Sequence, residues 1–544
     1  MNPTKIYWYH LFLLSIGTSA LLFLAWSPMP TTALIFVSWL PLLALENFFF
    51  TKQVTGKLKF FFFTYLTFLL WNLFTTWWIS KASAGGAVMA ITANSLIMCL
   101  PFSLFHYTRL KKGDMIGYIS LPVYWISYEF FHYNWDLSWP WLTLGNALSP
   151  FYPIIQWYEF TGVLGGSLWI LGINIFLFHF LKNAFTSQGA SMYYIFSRAV
   201  ILSFILDVPI FVSLVRFYTY KESEDPVKIS MIQPNIDPYN EKFAETGDGK
   251  YLSPDKQIYK LLEMSKMSVD SSTNYLVWPE TALPEGIFIE QLNSFSEINN
   301  MIKLVEHFPD LKIITGAMLY DKYDDAEKTV TSRKLYGTQN SWYDAFNSSI
   351  LIERNKPLQI HHKSKLVPGV EIMPYPEVLK ILEPLAINLG GTSGTLAREK
   401  QQKLFVTNDS DLFIPVICYE SIFGDYVSNY VKMGAEFIIV ITNDGWWGST
   451  PGYHQHLELA KLRAIETRRS IARCANTGIS CFINQRGEII KESAWWMPFV
   501  LTHSINKNKK MTLYAMYGDY LGRLALVLSF FLLLSALIKR KKII

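Results

Sequence analysis

The sequence predicts a multi-span α-helical membrane protein that carries one external α/β domain. Three observations lead there. Of 544 residues, 51% are hydrophobic and 16% aromatic while only 17% are charged, too apolar a balance for an ordinary soluble chain. The apolar material lies at the two ends, whereas residues 222–510 have ordinary globular composition. Within that middle part, short β-rich runs alternate with helical stretches, the pattern of helices layered on sheets.

Seven apolar runs precede the middle part, each near the roughly 20 residues that cross a bilayer. They are Ile6–Trp26, Ala33–Phe50, Phe60–Ile79, Ala87–Tyr107, Met115–Phe131, Phe160–Leu181 and Ala199–Val215. The fifth holds Glu129 and the seventh Asp207. An eighth run, Leu521–Ile538, follows the middle part. The expected division is therefore 1–221 for seven transmembrane helices, 222–510 for the α/β domain, and 511–544 for a last helix with a basic tail. The first run is long and has no small-residue cleavage site, so it reads as a retained helix and not a removed signal peptide.

Lys and Arg in short loops stay on the cytoplasmic side, and here they alternate. Lys5, the Lys52, Lys57 and Lys59 group, the Arg109, Lys111 and Lys112 group, and the Lys182 and Arg198 pair all fall in alternate loops, as does the KRKK tail Lys539–Lys542. The intervening loops hold almost none, Lys81 being the exception. Seven crossings place residues 222–510 outside the cytoplasmic (inner) membrane. The net charge of +5 reflects this bias and gives no reason to expect nucleic-acid binding.

In the middle part the expected strands are VKISMIQ, NYLVWPE, KIITGAML, SSILIER, LFIPVICYE, FIIVITND and SCFINQRGEII, with a helix over residues 456–473. Three of the strand ends or the loops after them carry reactive groups, where α/β folds usually assemble sites: Glu280, Lys363 and Cys418. Each alone has a plainer explanation, as a helix cap, a solvated lysine and a packed thiol. Together they suit acyl transfer. A glutamate can take the thiol proton, a lysine can stabilise the developing oxyanion, and the backbone N–H of Tyr419 can add a second donor. Cys99 lies in a span; Cys418, Cys474 and Cys481 lie in the middle part, without CxxC or Cys/His metal spacing. No metal or cofactor is expected.

The order and context of these residues resemble the nitrilase superfamily, whose triad runs Glu, Lys, Cys. The matching segments are WPET at Glu280, HKSKLVPGVE at Lys363 with Glu371, ICYE at Cys418 with Glu420, FNSS at Asn347, ITNDGWWG from Ile441, and HLELAKLRAIETRRSIARCANTGIS from His456. The resemblance implies a four-layer αββα sandwich and gives Glu371 a supporting role in positioning the triad. Eight spans around such a domain resemble the apolipoprotein N-acyltransferases, the membrane-embedded members of the superfamily. The family motif KxHLVPFGE stands here as KSKLVPGVE, with Lys365 for the histidine and Gly369-Val370 for Phe-Gly, and Phe243 stands near a position where the family tends to have tryptophan.

What that resemblance implies is specific. An acyl chain passes from a membrane phospholipid to Cys418 as a thioester, then to the N-terminal amine of an S-diacylglyceryl-cysteine lipoprotein, by a ping-pong route in a monomer. A membrane-tethered amidohydrolase would use the same triad with water as acceptor, and a lipid-binding scaffold would not need the triad at all. Trp446-Trp447 and Trp495-Trp496-Met497 either line a lipid entrance or belong to the core, and Glu129, Glu159 and Asp207 either order headgroups or pair within the membrane.

Overall fold

The computed structural model describes residues 8–52, 56–186, 191–242, 250–337, 340–375, 377 and 395–538, which divide into two units. Lys5, Phe243 and Lys539–Lys542 lie outside the described residues.

The first unit is helical. Its helices are α1 (Trp8–Leu24), α2 (Leu40–Lys52), α3 (Lys57–Thr76), α4 (Ala84–Lys112), α5 (Asp114–His132), α6 (Tyr158–Thr186), α7 (Met192–Thr219) and the C-terminal Tyr520–Leu537. Six helical stretches among the described residues are long and apolar enough to cross a membrane, namely Thr32–Lys52, Lys57–Lys81, Ala84–Lys112, Tyr158–Ala184, Met192–Thr219 and Tyr520–Leu537. The remaining two are α1, with 17 residues, and α5, which carries Glu129 and three tyrosines. The chain is a multi-pass membrane protein. Between α5 and α6 the apolar segment from Pro140 to Ile154 forms short 3-10 turns, largely buried.

Three acidic groups of this unit have partners, as an apolar medium favours. Glu129 accepts from the Trp125 indole (2.9 Å) and from the backbone N–H of Leu144 (2.8 Å), tying α5 to the irregular segment. Glu159 takes a two-pronged grip from Arg216 at 2.7 and 3.2 Å. Asp207 is exposed and bonds Ser203, one turn earlier on the same helix. The first two are packing partners, which answers the alternative left open by the sequence.

The second unit is an αββα sandwich. One sheet has the order β14-β1-β2-β4-β6-β5, with β3 also on β4 and β7 on β6. Its strands are β1 (Pro226–Gln233), β2 (Tyr275–Val277), β3 (Leu283–Phe288), β4 (Lys312–Asp324), β5 (Arg333–Lys334), β6 (Ser341–Glu353), β7 (Gln359–His362) and β14 (Phe499–Asn506). The other sheet runs β13-β12-β11-β10-β9-β8, from β8 (Phe405–Val406), β9 (Leu412–Ile417), β10 (Phe437–Thr442), β11 (Ile471–Ala475), β12 (Cys481–Ile483) and β13 (Ile489–Glu492).

Two-residue periodicity decides which layer each side chain meets. Tyr275 and Val277 of β2 face the second sheet, where they join Ile417, Ile439 and Cys474 in one core. Leu276, between them, faces outward to Leu261, Met301 and Val305, carried by α8 (Pro254–Lys266) and α9 (Ser296–His307). On the far side, α10 (Gly424–Lys432) packs against β9 and against α11 (Pro451–Thr467).

The sequence expectation fails at two places. The helix expected over 456–473 ends at Thr467, because Arg468 takes a left-handed conformation (φ 51°), and Ile471–Ala475 then pairs in parallel with β10. The single strand expected from Ser480 to Ile490 is a hairpin of β12 and β13 turning at Gly487, whose φ is +81°.

Candidate active site

The central strands β2, β4, β9 and β10 run parallel to a neighbour, so the loops after their C-terminal ends can converge on one side of the sandwich. Glu280 follows β2, Lys363 follows β7 and Cys418 follows β9. The structure brings all three together, in the interior. Lys363 is 1% exposed, Glu280 5% and Cys418 8%. The reading of Lys363 as a solvated lysine therefore fails.

A tight charge set forms around the lysine. Lys363 Nζ donates to Glu371 Oε1 (2.8 Å) and to Glu280 Oε1 (3.2 Å). The Asn347 side-chain amide bridges the same two oxygens, at 2.8 Å from Glu280 and 3.1 Å from Glu371. Burial by itself lowers the lysine pKa, but the carboxylates of Glu280 and Glu371 outweigh it and hold the lysine protonated, well above its ordinary range. The Cys418 thiol is pushed up, first by burial and then by Glu280, with Lys363 acting in the opposite direction. The resting site is therefore a neutral thiol beside an ion-paired carboxylate.

Each group is fixed by its local backbone. Glu280 sits on a loop laid across β4 at Gly316, whose N–H donates to Pro279 O (3.2 Å). A Cβ at Gly316 would come within 2.7 Å of the Glu280 Cα, so only glycine admits this approach. Lys363 extends the β6–β7 ladder, its N–H donating to Asn347 O (2.8 Å), which places the lysine beside the bridging amide. Cys418 has a positive φ of 49° and begins a one-turn 3-10 helix, Cys418–Ile422. Such a conformation persists in a non-glycine residue only where its surroundings enforce it.

Two buried groups do so. Glu420, fully buried, accepts from Ile417 N (2.9 Å) on the cysteine side and from Ser364 N (2.6 Å) and Lys365 N (3.3 Å) on the lysine side. The Tyr426 hydroxyl adds a fourth bond at 2.7 Å. Burial would raise the Glu420 pKa, but His361, 3.9 Å away, and the Ile417 and Ser364 amides prevail and lower it, so it stays a carboxylate. His456 is the second. Its Nε2 lies 3.2 Å from the Cys418 carbonyl, and its Nδ1 lies 3.0 Å from Asp444, which Arg473 grips at 2.7 Å. The Ser421 hydroxyl also donates to the Cys418 carbonyl (2.8 Å).

The KSKLVPGVE segment keeps the lysine-to-glutamate pairing despite its substitutions. Gly369 adopts φ +74° and donates to Ile372 O (2.8 Å), which folds the turn so that Glu371 Oε2 accepts from Val367 N (2.9 Å). Lys365 places Nζ 5.0 Å above the Phe423 ring. Tyr419 is buried and meets Phe423 edge-on. Cys474 is core: its thiol donates to the carbonyls of Ile232 (3.3 Å) and Val277 (3.4 Å). Cys481 is fully buried. Among the described residues no group of three or more His, Cys, Asp or Glu could hold a metal.

Comparison with known proteins agrees with this geometry. Residues 228–510 match the carbon-nitrogen hydrolase family, and residues 18–176 match the apolipoprotein N-acyltransferase N-terminal domain. The apolipoprotein N-acyltransferase of Chlorobaculum tepidum is 30% identical over 493 residues, covering 88% of both chains. That of Geobacter metallireducens is 28% identical, covering 75% of this chain and 73% of its own, and that of Haemophilus influenzae 26% identical, covering 80% and 77%. The chain belongs to the apolipoprotein N-acyltransferase family. It is an enzyme of the N-acyltransferase class built on a nitrilase-type domain.

Sequence reasoning assigned no role to four residues that the structure places around Glu280, Lys363 and Cys418. Asn347, Asp444, His456 and Arg473 lie in segments already recognised, yet nothing local marks their roles. Lys242 was missed altogether. Its Nζ donates to the Thr281 carbonyl (2.9 Å) and hydroxyl (2.5 Å), steadying the residue after Glu280 in its positive φ of 48°. Burial holds Lys242 down to about 8, with Glu280 pulling the other way. The tryptophans are not core: Trp446 and Trp447 are partly exposed, Trp495 stacks on Tyr453 at 3.6 Å, and Met497 is exposed.

Proposed function

We propose that the enzyme moves an acyl chain from a membrane phospholipid to the N-terminal amine of a diacylglyceryl-modified lipoprotein, through a Cys418 thioester. One observation carries this reading: Glu280 and Glu371 share one protonated lysine and one bridging amide beside a buried thiol, in a chain rich in membrane-spanning helices. The relatives are named for acylating apolipoproteins, which supplies the acceptor.

In the first half-reaction Glu280 takes the thiol proton as Sγ attacks the ester carbonyl. The oxyanion forms against Lys363 Nζ and the Tyr419 N–H. Collapse breaks the C–O bond, and Glu280 returns the proton to the departing lysophospholipid alcohol. In the second half-reaction the acceptor amine attacks the thioester, Glu280 takes a proton from nitrogen, and as the C–S bond breaks Glu280 passes that proton to the departing sulfur, giving an amide and the free thiol. Glu371 and Asn347 hold Lys363 and Glu280 in place, while Glu420 and His456 hold the cysteine turn. All these residues belong to one chain, so a monomer suffices.

The reading includes the topology inferred from the basic loops: eight crossings, with residues 222–510 on the outer face of the cytoplasmic membrane, flanked by parts 1–221 and 511–544. Donor and acceptor both keep their tails in the bilayer, so a thiol near its outer surface can serve both. Partly exposed tryptophans such as Trp446 and Trp495 suit a lipid entrance.

The test is incubation with phospholipid and no acceptor, followed by intact-mass analysis. One added acyl chain, removed by hydroxylamine and missing from Cys418→Ala, is expected. An acylated Cys418→Ala variant would sink the covalent mechanism, and release of free fatty acid without transfer to an amine would favour the amidohydrolase.

A further inference from the structure

Beyond the Glu159–Arg216 pair, helices α6 and α7 are joined by two further hydrogen bonds. Midway along, the Trp169 indole donates to the Ile205 carbonyl (2.9 Å); near their connection, the Asn183 amide donates to the Tyr194 hydroxyl (3.1 Å). Between these contacts the helices part around a cleft of about 470 Å³. Its deeper end is lined by Gly172, Ile175, Phe176 and Ile205, and its end near the connection by Asn183, Tyr194 and Arg198. Gly172 and Asn183 are about 16 Å apart at about 1.5 Å per residue, close to one leaflet of a hydrocarbon core about 30 Å thick.

Gly172 itself needs explaining, because glycine inside a helix is destabilising relative to alanine. At Gly166 on the same helix, a Cβ would run into Tyr158 and Gly145. At Gly172 it would meet nothing within 4 Å. Protein packing does not require this glycine; it leaves room for something else. The other end of the cleft is cationic. Arg198 is exposed, its guanidinium lies 5.4 Å from the Tyr194 ring, and it has no carboxylate partner among the described residues. An apolar slot one leaflet long with a guanidinium at its mouth complements a lipid tail joined to a phosphate.

We propose that this cleft holds one anionic glycerophospholipid, with an acyl chain along Gly172 and Ile175 and its phosphate on Arg198. On the topology read from the basic loops, Arg198 stands at the cytoplasmic face and Cys418 outside, so this lipid is resident and not the donor that the enzyme consumes. Phosphatidylglycerol fits this chemistry, whereas phosphatidylcholine carries a compensating cation.

The experiment is native mass spectrometry of the full-length chain in lipid-free detergent, titrated with phosphatidylglycerol or phosphatidylcholine. A Cys418→Ala background prevents acyl transfer from the added lipid. The parent should hold one phosphatidylglycerol in preference to phosphatidylcholine. Arg198→Gln should weaken that binding about tenfold and erase the headgroup preference, and Arg198→Lys should restore much of it. Gly172→Phe, whose ring would fill the slot, should remove the bound lipid. In the native Cys418 background these variants should transfer acyl chains in detergent at the parental rate, which separates failure of this site from failure of the catalytic reading. Equal retention of the two lipids by the parent, or parental phosphatidylglycerol binding by a folded Arg198→Gln, would mean an unselective lipid coat and overturn the proposal. If Gly172→Phe does not fold, the Arg198 pair alone decides.

Discussion

Glu420→Gln should cripple acylation although Glu420 touches no reacting atom. One oxygen accepts from Ser364 N, Lys365 N and the Tyr426 hydroxyl, and the other from Ile417 N. Glutamine offers one oxygen and one NH2. Its better orientation keeps the three-donor side and turns the NH2 toward the Ile417 N–H, donor against donor. Orphaning that buried N–H costs about 1–3 kcal/mol, and removing the charge from the other three bonds adds on the order of 1–2 kcal/mol. That loss falls on the link between the lysine loop and the cysteine turn. A shift of about 1 Å there would slow the chemistry roughly 100-fold. Single-turnover acylation by phospholipid alone, followed by intact mass, measures it directly. The expected variant is folded, binds donor normally and acylates about 10- to 100-fold more slowly. Acylation within twofold of wild type would refute the bracing role.

Gly316→Ala should displace the Glu280 backbone, since its new Cβ would lie 2.5 Å from Thr281 N and 2.6 Å from Pro279 O; the same acylation assay should show a loss of roughly 100-fold in folded protein. His362, stacked on Phe346 and 2.7 Å from the Ser348 hydroxyl, is lowered to about 4, chiefly by burial, with Glu399 opposing. Because its folded pKa lies below the ordinary 6.5, the unfolded chain binds more protons between those values, and stability is lost as pH falls from 6.5 toward 4. His362→Gln should therefore lose less thermal stability than wild type between pH 7 and pH 5, measured by the temperature of inactivation; equal loss would remove His362 from the account.

The clustering of Glu280, Lys363 and Cys418 was legible because each ends or follows a strand-like run and stands in a recognisable segment. WPET, HKSKLVPGVE and ICYE place Glu280, Lys363 and Cys418 in loops whose convergence follows from parallel strands. Glu371 and Glu420 are legible as supporting glutamates from the same segments, but the bonds by which the supporting groups act are not. Glu420 was read as a neighbour of the cysteine, yet its partners Ser364 and Lys365 come from a distant segment. His456 sits on the buried side of α11 and acts on a backbone carbonyl, so no residue pattern announces it. The misread helix end has the same origin. Helix-forming Ala and Arg residues continue past Thr467, but pairing of Ile471–Ala475 with β10 overrides them.

The charge balance decides how Cys418 can be activated, and it makes a prediction that runs against intuition. Lys363 contributes one positive charge, Glu280 and Glu371 two negative ones; Lys363 and Glu280 are buried and Glu371 is partly buried. Burial first, and then the neighbouring Glu280 carboxylate, disfavour a preformed thiolate, and the thiol stays protonated. Deprotonation must then accompany attack, when the negative charge leaves sulfur for the carbonyl oxygen and meets Lys363 and the Tyr419 N–H. The neutral resting thiol also resists oxidation, since thiolates are the reactive form. On this account Glu280→Gln has opposite effects on two reactions. It abolishes acyl transfer by removing the base, but it removes an anion that holds the thiol up, so Cys418 should ionise at lower pH and react faster with a small alkylating agent. Iodoacetamide labelling of Cys418 from pH 6 to 9, read by peptide mass, compares the two proteins. Slower labelling of Glu280→Gln across that range would show that Glu280 draws the proton from sulfur in the resting enzyme, and the concerted activation argued here would fall.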